Sequence, residues 1–407
     1  MKYRIHAPNT IHTKVTLPAS KSISNRALIL NALSYNPRMP ENLSDCDDTR
    51  VMVRAFESDS NRFDIGAAGT SMRFLTAFLS KIGGVWEITG SERMKNRPIG
   101  ILVDALRALG AQIEYMEKEG YPPLKITGRA LQGGSLEMNG AVSSQFISAL
   151  LMIGPTMRDG LTLTLTGEVI STPYIRMTLG MLAEFGIASE WQGNTIRIEP
   201  QDFLPVPFRV ESDWSAASYW YQIASFAPDF NIFLKGLRKE SYQGDSRIAD
   251  FFAQIGVGSE FTPEGIRLFS NGIHCELMQL DLTDQPDLAQ TLVVTCALKG
   301  IRFRFTGLQS LKIKETDRIT ALKQELKKLG YLITDRNDSI LEWNGERCEP
   351  EADAVLKTYE DHRMAMAFAP AALLCGAVSM EEPGVVSKSY PAFWQDLEAA
   401  GFRIEQI

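Results

Sequence analysis

Histidine is scarce in this chain of 407 residues, with only 4 in all, at positions 6, 12, 274 and 362. The five cysteines, at 46, 275, 296, 348 and 375, form no CxxC pair, and the histidines do not gather around them. A zinc site, a redox dithiol and a disulfide framework are therefore unsupported, and no metal is expected. Cys275, beside His274, reads as a structural residue in a strand-like stretch. No Ser-His-Asp or Cys-His order suggests a nucleophile. No run of 18 apolar residues exists, and Met1 to Pro8 lacks the apolar core of a leader. The expectation is a cytoplasmic protein with no membrane partner. Positive charge is not in excess: 42 Lys and Arg face 49 Asp and Glu, a net charge of −7. No nucleic-acid partner is expected. An anionic ligand would need a local basic pocket. Linkers rich in Gly, Ser or Pro are also missing.

What is present is an ordinary globular composition, 44% apolar and 22% charged, long enough for two or three domains. It is also repetitive. Helix-like segments end in glycine at 110, 186, 256, 330 and 401, each 70 to 76 residues after the last. Glycine there suits the left-handed position that follows a helix. A second helix series begins near Ser22, Thr70, Ser144, Asp213, Asp287 and Asp361, at intervals of 69 to 74 after a first interval of 48. Two independent series with one period imply a duplicated unit of several elements. Strand-like alternation over 161–165, 266–269, 301–305 and 402–405 completes it. The reading is six units, each of two helices and about four strands, with the first shortened by roughly 25 residues. The best boundary lies near Pro205-Val206-Pro207, halfway along, giving two pseudo-equivalent halves with a cleft between them.

Chemistry gathers at the starts of the second series. They read Ser20-Lys21-Ser22, Gly69-Thr70-Ser71-Met72-Arg73, Ser143-Ser144-Gln145, Ser212-Asp213, Pro286-Asp287 and Asp361-His362-Arg363. Helix starts expose unpaired N–H groups and partial positive charge, so they collect anions. Ordinary capping accounts for the hydroxyls and aspartates. It does not account for Lys21, Arg26, Arg73 and Arg363, cations near the end of a helix that disfavours them. The run Lys314-Glu315-Thr316-Asp317-Arg318 concentrates two cations and two anions at another helix start. Thr316 or Asp317 could cap that helix. Gly66-Ala67-Ala68-Gly69-Thr70 matches no nucleotide-loop pattern, but Gly69 would let backbone approach a small anion. Pro98 is expected in the first turn of a helix.

These stretches, with Arg97-Pro98-Ile99-Gly100, Ser171-Thr172-Pro173-Tyr174, Gln243-Gly244-Asp245 and Lys388, run nearly end to end and in order. Together they resemble the enolpyruvyl transferase family, and within it the branch acting on shikimate 3-phosphate. The resemblance implies an α/β (α+β) fold of two domains, each of three βαβαββ-like repeat units, the first truncated. Domain I would be 1–19 plus 208–407 and domain II 20–207, with the active site in the cleft between them. The implied reaction moves the enolpyruvyl group of phosphoenolpyruvate to the 5-hydroxyl of shikimate 3-phosphate and releases phosphate. It belongs to the shikimate pathway of aromatic amino acid biosynthesis, needs no cofactor and is run by a monomer.

The resemblance also implies roles. Shikimate 3-phosphate would be held by Ser22, Arg26, Ser143, Ser144, Ser171, Tyr174, Asp287 and Lys314. Phosphoenolpyruvate would be held by Lys21, Gly69, Arg97, Gln145, Arg318, Arg363 and Lys388. Asp287 would take the hydroxyl proton and Glu315 would protonate the enol carbon, with Lys21 as a further catalytic group. Four departures stand out: the short first unit between Asp48 and Gly66, apparently lacking a strand pair, then Ala67, Phe74 and Ser310 where the family usually has Asn, Pro and Asn. The rival branch, which acts on a UDP-amino sugar, uses a loop cysteine. No cysteine occurs between Cys46 and Cys275.

Overall fold

A computed structural model describes residues 1–407, the side chain of Ile313 excepted. The chain forms two compact units, one of Met1–Pro18 with Glu211–Ile407, the other of Ala19–Val210. The repeat is plainest over 134–198. Strand Gly134–Asn139, helix Ser144–Ile153, strand Leu161–Thr166, helix Thr172–Glu184 and strands Glu190–Gln192 and Thr195–Ile198 follow one another. The first two strands are parallel and the last pair antiparallel, so the sheet order is first, second, fourth, third. A helix crossover makes the parallel pair possible, and a short turn makes the hairpin. The sheet over 62–128 in the same unit repeats this order, as do two sheets of the other unit; in its third sheet strand Lys2–His6 takes the place of the fourth strand.

Among the described residues there are five four-stranded sheets, not six. The shortened first repeat keeps helices Lys21–Leu33 and Asp47–Glu57, but the chain then runs straight to strand Arg62–Asp64. Within it Glu41 forms an isolated bridge with Arg209. The strand pair expected to be missing is missing. In the other unit, the N-terminal residues complete two sheets. Ile11–Thr16 pairs parallel with Phe230–Lys235. Lys2–His6 lies between Ala377–Glu381 and Arg403–Gln406.

The two helix series differ in burial. In Ala289–Lys299 every residue from 289 to 297 is buried, and Trp214–Phe226 and His362–Phe368 are nearly as enclosed. Helices apolar on all sides belong inside. The other series is amphipathic: Arg318–Lys328 buries Ile319, Ala321, Leu322 and Leu326 and turns Thr320, Gln324 and Lys327 outward. Its helices end at Gly110, Gly186, Gly256, Gly330 and Gly401, with φ of 101°, 82°, 107°, 90° and 99°. A side chain strains at such angles, so the sequence period records a backbone demand.

Two local expectations change. Pro98 lies two residues ahead of helix Gly100–Ala108, not in its first turn. His274 and Cys275 lie between strands Gly265–Ser270 and Leu277–Asp281, not in a strand. The Cys275 thiol donates to the Leu277 carbonyl at 3.0 Å. No helix among the described residues is long and apolar enough to cross a membrane.

Candidate active site

In the unit Ala19–Val210, inner helices begin at Lys21, Gly69 and Ser144. Lys21 and Ser22 occupy the first two positions of the first helix and are half-buried. Arg26 follows one turn later and is buried. Its Nε donates to Thr178 Oγ1 at 2.8 Å, and Nη1 to the Ser22 carbonyl at 2.9 Å. Nη2 donates to Ser148 Oγ at 2.9 Å and to the Tyr174 carbonyl at 3.4 Å. All four acceptors are neutral oxygens. Burial drives the guanidinium down to about 10, with Tyr174 opposing, so it stays cationic at neutral pH. A buried cation whose partners include no carboxylate is costly alone, and an arriving anion relieves that cost.

A second basic pair sits at the next helix start. Arg73 is buried, bonds the Gly69 carbonyl at 2.9 Å, and is driven to about 9 by burial and by neighbouring Arg97, with Asp48 opposing. Its Nε has no partner. Arg97 lies over Gly69, where a Cβ would stand 2.5 Å from Nη1. A side chain at position 69 would therefore displace the Arg97 guanidinium, so Gly69 serves the approach of a guanidinium and not only of an anion. Gln145 Nε2 donates to Thr70 Oγ1 at 3.3 Å, tying the third helix start to the second. Ser143 caps its helix, accepting from the Gln145 amide, and Ser144 is the first helical residue. Ser171 precedes Thr172–Glu184 at φ 55°, ψ 36°, a left-handed conformation that costs a non-glycine residue on the order of 1–3 kcal/mol and recurs at functional sites. Phe74 is the sixth residue of its helix, in the second turn; its ring is buried with the Arg26 guanidinium over it at 5.3 Å. Ala67 is exposed in the turn before the helix.

In the other unit the organising group is Arg318, the first residue of its helix and 1% exposed. Nε donates to Asp361 Oδ2 at 2.7 Å, Nη1 to Asp287 Oδ1 at 3.1 Å, and Nη2 to Glu315 Oε2 at 2.9 Å and Asp361 Oδ1 at 3.4 Å. Burial alone would lower its proton affinity; Asp361, Glu315 and Asp287 overcome this and raise it. Asp287 accepts from Arg363 Nη2 at 2.8 Å through its other oxygen, and Lys314 Nζ lies 3.9 Å away. Arg363 Nη1 reaches Tyr219 OH at 3.5 Å. Asp361 caps its helix through the Arg363 amide at 2.9 Å. Lys388 Nζ donates to the Glu360 carbonyl at 2.6 Å. The capping residue of helix Arg318–Lys328 is Asp317, which accepts from the Thr320 amide at 3.1 Å; its second oxygen bonds Lys312 at 2.9 Å. Ser310 is half-buried in the turn Gln309–Ile313. Charge-assisted bonds of this density fix the side chains to within a narrow geometry.

Asp287, Lys314, Glu315, Arg318 and Arg363 are thus linked in one network, through Arg318 and Asp287. Asp361 is in the same network; its motif was visible, but nothing in the sequence separated it from an ordinary cap. Ser148 and Thr178, which orient Arg26, carried no signal in the sequence at all. Among the described residues no group of three or more His, Cys, Asp or Glu side chains is placed so that it could hold a metal ion.

The sequence profile of a family described as EPSP synthase (3-phosphoshikimate 1-carboxyvinyltransferase) matches residues 5–59 and 53–397. The chain belongs to the EPSP synthase family. A relative of that enzyme name from Bacteroides fragilis is 59% identical over 406 residues, covering 100% of this chain and 99% of its own length. One from Aliivibrio fischeri is 35% identical over 420 residues, covering 95% of this chain and 96% of its own. Among solved structures, an EPSP synthase from Acinetobacter baumannii superposes with a TM-score of 0.82 at 22% identity, covering both chains fully. The family fold therefore tolerates the short first repeat.

Proposed function

We propose that the two clusters carry out the family's reaction, enolpyruvyl transfer from phosphoenolpyruvate to shikimate 3-phosphate. The activity comes with membership of the family; the assignment of residues is the proposal. One observation supports it above the rest: Arg318 holds Asp287, Glu315 and Asp361 together, with Arg363 and Lys314 against Asp287. The reaction needs a base at the 5-hydroxyl, an acid at the enol carbon and negative charge beside a developing cation. Asp287 takes the hydroxyl proton while Glu315 gives one to C3, the hydroxyl oxygen bonds C2, and a tetrahedral adduct forms. Loss of the C3 proton and of phosphate completes the exchange. Lys21 assists proton traffic and holds phosphoenolpyruvate with Gly69, Arg97, Gln145, Arg363 and Lys388. Arg318 uses four of its five N–H groups on carboxylates, so it positions them and offers one N–H to the substrate. Arg26 holds shikimate 3-phosphate with Ser22, Ser143, Ser144, Ser171, Tyr174 and Lys314.

The test is phosphate release from phosphoenolpyruvate with and without shikimate 3-phosphate. Release should need both; release from phosphoenolpyruvate alone would count against transfer. Gly69→Ala should raise the KM for phosphoenolpyruvate by about tenfold or more, because its Cβ displaces the Arg97 guanidinium, while the KM for shikimate 3-phosphate moves little. Steady-state kinetics with each substrate varied would show this, and an equal rise in both constants would count against it.

A further inference from the structure

The Gln243-Gly244-Asp245 motif has no part in the reaction as assigned, yet the structure builds it with care. Gln243 Oε1 accepts the Trp214 amide at 3.0 Å. Its Nε2 donates to Glu211 Oε2 at 2.9 Å and to the Ser212 carbonyl at 2.8 Å. The turn Gly244–Arg247 is thereby fixed, and Asp245 within it is 5% exposed. Ser215 Oγ donates to Asp245 Oδ2. The charges facing Asp245 are Asp287, from the turn Pro286–Leu288, Arg363, from helix His362–Phe368, and Asp213, the cap of helix Trp214–Phe226. Burial and the Asp287 charge drive Asp245 up to about 7, against Arg363 and the Ser215 hydrogen bond. Asp245 is thus a buried carboxylate bonded to Ser215, one helical turn before Tyr219, whose hydroxyl meets the Arg363 guanidinium.

We propose that Asp245 is a positioning residue whose protonation gates anion binding at Arg363. Protonated, it leaves the Arg363 charge to the incoming substrate. Ionised, it opposes a second anion in the same enclosure. Binding of phosphoenolpyruvate is then accompanied by uptake of a proton from solvent onto the Asp245 carboxylate, by linkage. This rests on the reading that Arg363 receives phosphoenolpyruvate.

The experiment is the pH profile of kcat and of KM for phosphoenolpyruvate in the full chain, from about pH 6 to about pH 9. In the parent, KM rises with pH by up to about tenfold per unit above the Asp245 transition. Asp245→Asn, held neutral, keeps a low KM and loses that rise. The substrate's own phosphate titrates alike in both proteins, so the difference between profiles reads the enzyme. Ser215→Ala removes a bond that favours the ionised form, so its limb moves to higher pH. Retention of the parent slope in Asp245→Asn would overturn the proposal, as would a Ser215→Ala limb that stays or moves down. If Asp245→Asn does not fold, the Ser215→Ala shift decides alone. Arg363→Lys tests the underlying reading separately: an unchanged KM for phosphoenolpyruvate would sink that assignment whatever Asp245 does.

Discussion

Asp287→Asn and Glu315→Gln will each lower turnover by about 10²–10⁴-fold, the usual worth of a positioned acid or base. Substrate affinity should change far less. Both carboxylates are already held by Arg318, Asp287 at 3.1 Å and Glu315 at 2.9 Å, and an amide oxygen can keep each contact. Shape and the Arg318 contacts therefore survive, with the Arg363 bond to Asp287 given up in Asp287→Asn, while the proton-transfer capacity is lost. A group that acts mainly in the transition state lowers kcat and kcat/KM together. The measurements are steady-state kinetics and equilibrium binding of shikimate 3-phosphate. If both variants kept near-normal turnover but bound poorly, the carboxylates would be ligands and the assignment would fall.

The second large effect is on stability. Arg318→Leu leaves Asp287, Glu315 and Asp361 without their shared cation, in a place where the arginine was 1% exposed. Removing one partner of a buried ion pair costs about 3–5 kcal/mol, because the remaining charges stay buried. Arg318→Lys keeps a charge but not the fork of N–H groups, so one ammonium cannot replace contacts to three carboxylates. The sign of the pH dependence follows. Arg318 is held above its ordinary value, so loss of its own proton would remove this stabilisation only in strong alkali. In Arg318→Leu the clustered negative charge has lost that cation and protons can relieve it, so the deficit against the parent shrinks as pH falls. Denaturation curves at about pH 8 and about pH 5.5 would show it. A variant as stable as the parent at the higher pH would mean that the cluster is solvated and that Arg318 is replaceable.

Much of the fold was legible because its strongest demands are local. A left-handed residue after a helix needs glycine, so Gly110, Gly186, Gly256, Gly330 and Gly401 marked one helix series by themselves. Polar starts on wholly apolar helices marked the other. The short first repeat was legible from one interval. The shared hub was not. Arg318 meets Asp287 and Asp361, 31 and 43 residues away, and only the packing of the inner helices decides which starts converge. The same holds for Ser148 and Thr178 at Arg26, two small hydroxyl residues inside apolar helices that carry no mark of their partner. Cys275 misled because a short polar-apolar alternation cannot distinguish a strand from the extended chain before one.

The chain's first eighteen residues belong to a unit whose other residues begin at Glu211. During synthesis this imposes an order. Ala19–Val210 is one continuous segment and can fold as soon as it has left the ribosome. Strand Ile11–Thr16 must wait for Phe230–Lys235, and Lys2–His6 must wait for Ala377–Glu381 and Arg403–Gln406. At elongation rates of about 5–20 residues per second that wait is on the order of tens of seconds. Over that time the nascent chain carries two unpaired β-segments ahead of a finished unit, the state in which a chaperone is most useful. The same arrangement brings the termini together, with the Ile407 amide donating to the Lys2 carbonyl at 3.0 Å. A circular permutant that joins them through a short linker and opens the chain at the Ala19 boundary would make both units continuous and remove the wait.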